Sequence, residues 1–514
     1  MEAQDEEKVT LYLIIFLLAN AKAARILGIF PTGAKSHFEF NKSIMKSLHA
    51  AGHEITIISP FKETEPLENI TFISMSLESL ESTTIKGSIE NFVKLPLFTY
   101  FRSIAVINQR YCENFSRLKY RQDVLSTPLS KFDVLIMEYT SLYHCFTKIV
   151  EKFNIPIILT IPIRAVFFTD TVFGNPNHPA VVPTDYFFIP QHMNFIQKIE
   201  NTAVHLYTKF LWRIIFGKFD DTKQRIQDDS KSVSTKAFSL LFQNSHSSLL
   251  ARPMLQNVIE VGGIHLKPSK TLPQEIQKFI DEATAGVILF SFGSITHGSF
   301  LSSNIVSMFK EVFSQIPQRV IWKYEKTLEE LPQNVMISDW IPQRDILAHK
   351  KVVAFISHCG IGGIYEAVYE TVPLVMIPFY GDQLPNAATL EEKGVGVVLN
   401  ALKLSKKKIK NALDLVVNDT RYRENMRQLS RRFKDRPMTP QESVVYWTEY
   451  VISHQGALHL RSYSADVPLH QYYLLDVLLV VALALLLLFT SVRLLIRVSF
   501  PKIVKMRESK KKKN

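Results

Sequence analysis

Residues 355–383 read FISHCGIGGIYEAVYETVPLVMIPFYGDQ. The apolar run Val352–Ile356 predicts a strand, and the glycines of Ser357–Gly363 indicate a turn from which a helix opens. Bare backbone N–H groups at a helix N-terminus, next to His358 and the glycines Gly360 and Gly362, form a layout that binds phosphate. The spacing is neither G-x-G-x-x-G nor a Walker loop, so it does not predict a dinucleotide or ATP site.

The same segment carries groups suited to sugar hydroxyls. Glu366 is expected near the start of the helix, within reach of ribose hydroxyls. Asp382 and Gln383 follow the next predicted strand, and adjacent carboxylate and amide side chains suit the vicinal hydroxyls of a hexose.

Two more strand ends in this half carry ligand-type residues. Ser294 belongs to a small, glycine-containing turn where backbone and hydroxyl donors can approach a phosphate. Trp340 and Gln343 follow another strand, and Trp340 either stacks on a planar base or packs in a core. Ligand-type groups at four strand ends of one domain favour a binding site over a purely structural interpretation.

Outward from this segment, short β-branched runs alternate with helical stretches, which indicates α/β units around parallel sheets. The first series of predicted strands comprises Ile26–Phe30, Glu54–Ser59, Val134–Met137 and Pro156–Thr160. The second comprises Val287–Ser291, Arg319–Lys323, Val335–Ser338, Val352–Ile356, Leu374–Ile377 and Gly396–Leu399. The irregular, aromatic stretch 161–235 is interpreted as helices and loops over a binding cleft, and Val261–Thr271 as an interdomain linker.

The first half offers a candidate base, His37. Ser36-x-x-Glu39 predicts a capping box, with a helix that starts at His37 or Phe38 and runs to Gly52. The helix dipole there disfavours imidazolium and keeps the ring neutral, as a general base requires. A surface histidine in a capping turn is the alternative.

Glu138 leaves the predicted strand Val134–Met137 at its carboxyl end. Its carboxylate could hold His37 in one tautomer and stabilise the protonated ring. The alternative is a strand-end charge that faces water. His178 and His192 could line an acceptor cleft.

The C-terminal end predicts a membrane anchor. Leu474–Val492 is almost entirely apolar and long enough to cross a bilayer as a helix. The predicted span, residues 472–492, is followed by a basic tail, 493–514, which places the tail in the cytosol and the rest of the chain outside it. This local charge accounts for part of the formal net charge of +12 and favours a membrane flank over nucleic-acid binding.

The two termini carry targeting features. Residues 1–23 are interpreted as a signal peptide, although the acidic leader leaves an uncleaved first helix as an alternative. Lys511 and Lys512 resemble a dilysine retrieval signal of endoplasmic-reticulum membrane proteins, with a plain stop-transfer flank as the alternative. Among the sequons, Asn69 and Asn114 are the better predicted glycosylation sites.

The chain resembles the animal UDP-glycosyltransferases, including insect-type members, from about Arg25 to the tail. The resemblance rests on W-x-P-Q at Trp340–Gln343, on H-x-G…E…P…DQ at His358–Gln383, and on the stretches NVIEVGGIHL and SFGS. It implies a GT-B fold: two Rossmann-like doubly wound domains facing a cleft, plus one C-terminal transmembrane helix. Residues 24–264 would bind the acceptor, and residues 265–471 the UDP-sugar.

The resemblance also assigns roles, with inversion at the anomeric carbon and without a metal or other cofactor. His37 corresponds to the family's catalytic base, and Glu138 to its aspartate partner, which is a departure. Trp340 and Gln343 correspond to the family's contacts with uracil, and Ser294 and His358 to its contacts with the diphosphate. Glu366 corresponds to the contact with ribose. Asp382 and Gln383 correspond to the contacts with the sugar. Gly362 is a second departure, because many members carry a polar side chain there.

The resemblance leaves several alternatives open. UDP-glucose is the preferred donor, and UDP-glucuronate the second choice, for transfer to small lipophilic hydroxylated acceptors. A catalytically silent ligand-binding relative and a lipid-sugar transferase stay open, as does assembly into homo-oligomers. The expected location is the endoplasmic-reticulum membrane, as a single-pass type I protein with lumenal catalytic domains.

Overall fold

The computed structural model describes residues 23–61, 70–74, 91, 93–106, 131–139, 155–164, 166–216 and 238–511. Two parallel sheets organise residues 25–398. The seven-stranded sheet has the order β3-β2-β1-β4-β5-β6-β7, and the six-stranded sheet the order β10-β9-β8-β11-β12-β13. In both sheets the strand order reverses beside the first strand of the series, as expected of doubly wound domains.

The strands of the first sheet are β1 (Arg25–Ile29), β2 (Glu54–Ser59), β3 (Ile70–Ser74), β4 (Val134–Glu138), β5 (Ile157–Ile161), β6 (Phe238–Gln243) and β7 (Val258–Glu260). Those of the second are β8 (Val287–Ser291), β9 (Arg319–Lys323), β10 (Val335–Ser338), β11 (Val352–Ser357), β12 (Leu374–Met376) and β13 (Gly396–Val398). Every predicted strand is present, and no end is displaced by more than one residue. The prediction missed β3, β6 and β7, and β6 carries no β-branched residue to signal a strand.

Helices connect the strands and cover both sheets. Those of the first half are α1 (Lys35–Ala50), α2 (Leu97–Val106), α3 (Phe167–Phe173) and α4 (Phe195–Phe216). Those that follow are α5 (Gln274–Asp281), α6 (Ser303–Phe313), α7 (Gln343–Leu347), α8 (Ile361–Tyr369), α9 (Gln383–Glu392), α10 (Lys406–Asn418), α11 (Thr420–Lys434) and α12 (Pro440–Ser453). The short α13 (Leu469–Tyr472) and the long α14 (Leu475–Lys511) come last.

Each sheet is buried on both faces. Leu27 and Ile29 of β1 contribute to the apolar core on one face, and Ile26 contributes to the core on the other. Val287 and Ile288 of β8 divide in the same way between the two cores of the second sheet. The alternation explains why these strands read as nearly continuous apolar runs in the sequence.

The predicted capping box at the start of α1 is wrong. The helix begins at Lys35, and Ala34 occupies the cap position without a side-chain hydrogen bond. The first helical hydrogen bond already joins the Phe38 amide to the Ala34 carbonyl, which leaves Ser36 within the first turn. Gly52 follows the helix at a φ of 94°, as expected of a residue just past a helix end.

The C-terminal part of the predicted donor domain packs against the first half. Val444 and Val451 of α12 belong to the same apolar core as Ile26 of β1, and α12 packs against α1. The predicted linker is closely packed as well, since a Cβ at Gly262 would lie 2.4 Å from the Ser245 carbonyl oxygen. Residues 440–457 therefore complete the first half, although the sequence analysis assigned them to the second.

Residues 462–514 form a separate compact unit. In α14, the segment Leu475–Phe500 is long and apolar enough to cross a membrane. This segment overlaps most of the predicted span, residues 472–492. The predicted signal peptide lies outside the described residues, except for Ala23.

Candidate active site

His37 and Glu138 meet at the carboxyl edge of the first sheet. His37 lies in the first turn of α1, and its Nδ1 is 2.7 Å from Oε1 of Glu138, the last residue of β4. The parallel pairing of Ile29 with Met137 brings these two strand ends together. Glu138 is 1% exposed and His37 is 23% exposed, so the alternative of a carboxylate facing water is wrong.

The Glu138 carboxylate sits in a network of hydrogen-bond donors. The Thr32 hydroxyl donates to Oε1 over 2.9 Å, and the Asn41 amide donates to Oε2 over 3.0 Å. The Thr160 hydroxyl, in turn, donates to Oδ1 of Asn41 over 2.6 Å and fixes the orientation of that amide. A carboxylate held in this way favours a proton on His37 Nδ1 and leaves Nε2 as the basic nitrogen.

The contact of His37 with Glu138 acts against the helix dipole, which is expected to keep the ring neutral. Burial lowers the pKa of His37, but the charge and hydrogen bond of Glu138, with a contribution from Asp382, more than offset it. The net result is a pKa raised above the ordinary value of 6.5. A carboxylate in direct contact thus favours the protonated ring more than burial disfavours it.

Asn41 is a sequon asparagine that cannot serve as a glycosylation site in the folded protein. Its side chain is fully buried and bonded to Glu138. The predicted sites Asn69 and Asn114 lie outside the described residues, while Asn418, at the end of α10, is exposed.

In the second half, His358 lies between two glycines. A Cβ at Gly293 would lie 2.7 Å from Cε1 of the ring, and one at Gly360 would lie 2.5 Å from Nε2. Gly293 also has a φ of 84°, a conformation that L side chains rarely adopt. Both glycines are therefore required for the ring to stand beside the N-terminus of α8.

Burial favours the neutral form of the His358 ring. Burial, with the nearby Lys323 ammonium as a second cause, lowers its pKa to about 4. Nδ1 is buried and has no hydrogen-bond partner among the described residues. A neutral imidazole beside the exposed N–H groups of a helix N-terminus can donate a hydrogen bond to an anionic oxygen.

The backbone at Gly362 is supported from outside α8. Nε2 of His265 lies 3.2 Å from the Gly362 carbonyl oxygen, and burial lowers the pKa of His265 to about 4. A Cβ at Gly362 would lie 3.7 Å from Nε2 of His265, which is ordinary contact. His265 therefore lies beside the position where many family members are expected to carry a polar side chain.

Gln343 and Glu366 form a second pair. The amide nitrogen of Gln343, the first residue of α7, donates to Oε2 of Glu366 on α8 over 2.6 Å. Burial raises the pKa of Glu366 to about 7, although the hydrogen bond from Gln343 and the charge of Arg344 oppose the shift. Trp340 is 60% exposed, so the alternative of a core tryptophan is wrong.

Asp382 and Gln383 stand at the start of α9. Asp382 accepts a hydrogen bond of 2.9 Å from the Asn386 amide, and burial raises its pKa to about 6. The negative charge of Asp382 raises the pKa of His37, and the positive charge of His37 lowers the pKa of Asp382. The two residues are therefore close to each other, and the two halves of the site meet there. The side-chain oxygen of Gln383 accepts from the backbone N–H groups of Phe379 and Tyr380, which leaves its amide nitrogen for a ligand.

Comparison with known proteins identifies the family. A family model described as "UDP-glucoronosyl and UDP-glucosyl transferase" matches residues 26–513. The chain belongs to this family. It is 36% identical to UDP-glucosyltransferase 2 of Dactylopius coccus over 476 residues, 91% of each chain. It is 30% identical to UDP-glucuronosyltransferase 1A6 of Homo sapiens, covering 86% of this chain and 85% of that one.

Solved structures show the same fold as this UDP-glycosyltransferase. The calicheamicin glycosyltransferase CalG4 aligns with a TM-score of 0.53 and 18% identity, covering 84% of this chain and 98% of that one. A rice enzyme, Os79 from O. sativa, aligns with a TM-score of 0.56 and 15% identity, covering 83% and 100%. The predicted GT-B fold with two doubly wound halves is confirmed, and the protein is a glycosyltransferase that uses a UDP-sugar.

The UDP-glycosyltransferase structure brings together most of the predicted site residues. Ser294 is exposed in the turn after β8, on the same sheet edge as His358. His178 and His192 are both exposed: Nδ1 of His178 accepts from the Ala180 amide, and His192 contacts Glu392 of α9, so their place in an acceptor cleft stays a prediction. Within the described residues, no cluster of three or more His, Cys, Asp or Glu side chains could hold a metal ion.

The residues that support the site were not among the predicted site residues. They comprise Thr32, Asn41, Thr160, His265 and Lys323. Asn41 could have been found, because it lies four residues after His37 and therefore on the same face of α1. Thr160 could not, because only the pairing of Glu138 with Thr160 across β4 and β5 brings it to the site.

Proposed function

We propose that this enzyme transfers glucose from UDP-glucose to a hydroxyl group of small lipophilic acceptors, with inversion at the anomeric carbon. The observation that supports this best is the buried His37–Glu138 pair, which faces Asp382 of the donor-binding half. A base on one side of the cleft and sugar ligands on the other are what a single displacement requires.

In the proposed step, Nε2 of His37 removes the proton of the acceptor hydroxyl as its oxygen attacks the anomeric carbon. The new C–O bond forms while the bond from that carbon to the UDP oxygen breaks, and its electron pair leaves with UDP. Glu138 stabilises the imidazolium ion that results. Because this carboxylate already accepts hydrogen bonds from Thr32 and Asn41, it does not need to reorganise during the reaction.

The leaving diphosphate would be stabilised by the protein itself. The N-terminus of α8 offers backbone N–H groups, and His358 adds a neutral ring held between glycines. The Lys323 ammonium donates to the Gly293 carbonyl over 3.0 Å and to Oε1 of Glu325 over 2.8 Å, so it holds this turn in place while Glu325 balances its charge. We therefore propose a reaction without a metal or other cofactor.

Two observations support glucose over glucuronate. The positive charge of Arg164 lowers the pKa of Asp382, so this cation lies near the proposed sugar site. Its guanidinium is already paired with Asp185 over 3.0 Å. The Asp185 carboxylate therefore already balances the charge of Arg164, and the carboxylate of a glucuronosyl group would have to compete with it. The Dactylopius relative with 36% identity is named a glucosyltransferase, whereas the human relative with 30% identity is named a glucuronosyltransferase.

UDP release from microsomes that contain the full chain tests the proposal. With a phenol acceptor, we expect release with UDP-glucose at a rate at least about tenfold above that with UDP-glucuronate. The rate of UDP release with UDP-glucose should be unchanged when EDTA is added. A preference for UDP-glucuronate would contradict the donor assignment, and no release with either donor would indicate a silent binding protein. Activity confined to membrane-lipid acceptors would indicate a lipid-sugar transferase.

Donor binding should depend on pH through Glu366. Its pKa of about 7 means that the carboxylate, which we propose accepts the ribose hydroxyls, is lost as the pH falls through 7. The dissociation constant of UDP-glucose, measured by calorimetry, is therefore expected to rise about tenfold from pH 8 to pH 6. Glu366→Gln should remove the part of this dependence above pH 7, whereas Asp382, with a pKa of about 6, should keep a smaller part at lower pH. The matched variant Glu424→Gln, on the exposed surface of α11, should keep the whole dependence, and a flat profile in the parent would contradict the ribose assignment.

The location is also proposed. The span in α14 and the basic residues after it support a single-pass type I protein of the endoplasmic-reticulum membrane, with the catalytic halves in the lumen and the tail in the cytosol.

A further inference from the structure

His265 belongs to the segment that joins the two halves of the enzyme. Its neighbour Ile264 is buried in an apolar core of the first half, and Leu266 packs against a core of the second half. The side-chain amide of Gln441, on α12, donates to the Ile264 carbonyl oxygen over 3.2 Å. The segment is therefore held from both sides, and the His265 side chain starts from a fixed position.

The His265 ring contacts the backbone of α8 through one nitrogen. Its Nε2 lies 3.2 Å from the Gly362 carbonyl oxygen. Burial lowers the pKa of His265 to about 4, which favours the neutral ring with a single proton. Because a carbonyl oxygen can only accept a hydrogen bond, this contact places the proton on Nε2 and makes His265 the donor.

This hydrogen bond orients the peptide group between Gly362 and Gly363. The peptide is trans, so its carbonyl and its N–H point in opposite directions. A donor that holds the Gly362 carbonyl therefore directs the Gly363 N–H toward the N-terminal end of α8. The first four N–H groups of a helix have no partner within it. Gly363 supplies the last of these four, because the Ile364 amide already donates to the Gly360 carbonyl over 3.1 Å.

The two glycines allow side chains to approach this peptide closely. A Cβ at Gly362 would lie 3.7 Å from Nε2 of His265, and one at Gly363 would lie 3.2 Å from the amide nitrogen of Gln343. Gln343 in turn donates to Glu366 of the same helix over 2.6 Å. The peptide therefore has the linker histidine beside one glycine and the residues assigned to the nucleoside beside the other.

We propose that His265 is a positioning residue for the diphosphate of the donor, because its hydrogen bond keeps the Gly363 N–H directed at a phosphate oxygen. This role rests on the proposed placement of the diphosphate at the N-terminus of α8, beside His358. An N–H group that is already oriented binds an anionic oxygen without reorganisation, and such a bond is stronger than one between neutral groups. Loss of the His265 contact should therefore weaken binding of the diphosphate and leave binding of the nucleoside unchanged.

Competitive inhibition by a full and a truncated ligand tests this role in microsomes that contain the full chain. UDP and uridine are each titrated against UDP-glucose, and their inhibition constants are compared. For His265→Ala, we expect the constant of UDP to rise about tenfold and that of uridine to stay within about twofold of the parent. His265→Gln keeps a side-chain N–H donor, so its constant for UDP should stay within about threefold of the parent.

His246→Ala is the matched control. Burial lowers the pKa of His246 to about 4 as well, and its ring packs against Phe433 of α11. Both inhibition constants of this control should equal those of the parent. If His265→Ala raises the constants of UDP and uridine equally, the residue only supports the fold, and if it raises neither, the contact has no role in binding. Either result would overturn the proposal, as would a His265→Gln variant that binds UDP as weakly as His265→Ala.

His358→Ala separates the role of His265 from the proposed placement of the diphosphate. The His358 ring stands between Gly293 and Gly360 at the N-terminus of α8, so this variant should also raise the inhibition constant of UDP. If it does so and His265→Ala does not, the placement of the diphosphate stands and only the role of His265 is wrong. If neither variant affects UDP, the diphosphate binds elsewhere, and the role of His265 falls with its placement.

Discussion

His37→Gln is expected to lower kcat for glucosyl transfer by about 10²–10⁴-fold, the usual contribution of a general base. The glutamine amide can still donate to Glu138, so the buried carboxylate keeps a partner, but it offers no basic nitrogen for the acceptor proton. Because the donor ligands lie in the other half of the site, the dissociation constant of UDP-glucose should stay within about twofold. Initial rates and calorimetry measure the two quantities.

His49→Gln is the matched control for this prediction. It makes the same change in the last turn of α1, about 18 Å along the helix from His37. Its kcat should equal that of the parent. Undiminished transfer by His37→Gln would contradict the assignment of His37 as the base. A large loss of donor affinity in that variant would indicate that His37 has a structural role instead.

Glu138→Gln is expected to lower the maximal rate by about 10²-fold or more, because the imidazolium formed in the step loses its charged partner. The variant also predicts a change in the pH profile. In the parent, Glu138 raises the pKa of His37 above 6.5, so activity falls as the pH drops through that raised value. Without the carboxylate, burial dominates and lowers the pKa of His37. The acidic limb of kcat/KM should therefore move to lower pH.

Asp133→Asn is the matched control at the other end of the same strand. Asp133 immediately precedes β4 and accepts a hydrogen bond from the Arg25 amide over 2.7 Å, about 16 Å along the strand from Glu138. The control should keep both the rate and the pH profile. A Glu138→Gln variant with reduced rate but an unmoved acidic limb would mean that the carboxylate only positions the ring.

The fold could be read largely from local sequence. Apolar runs and glycine-containing turns predicted most strands to within one residue, because parallel strands that are buried on both faces have nearly continuous apolar side chains. The donor-binding half was predictable for a similar reason. Its ligand groups lie on a nearly continuous stretch, and Gly293 and Gly360 mark where backbone must approach His358.

The other half of the site depended on contacts between distant segments. His37 and Glu138 are 101 residues apart in sequence, and each alone was compatible with a surface role. The raised pKa of His37 follows from their contact, which no local pattern reveals. Likewise, α12 follows the donor-binding segments in sequence but completes the core of the first half.

By itself, the sequence determined the two parallel sheets, the UDP-sugar family and the apolar segment at the C-terminus, because each follows from residues that are close together in the chain. Only the tertiary structure decided that Glu138 is buried against His37, since the pairing of β1 with β4 brings them together. It also decided which face of α4 meets solvent. Periodicity shows that a helix has two faces, but only contacts such as those of Asn201 with the carbonyl oxygens of Pro179 and Val182 determine which one is buried.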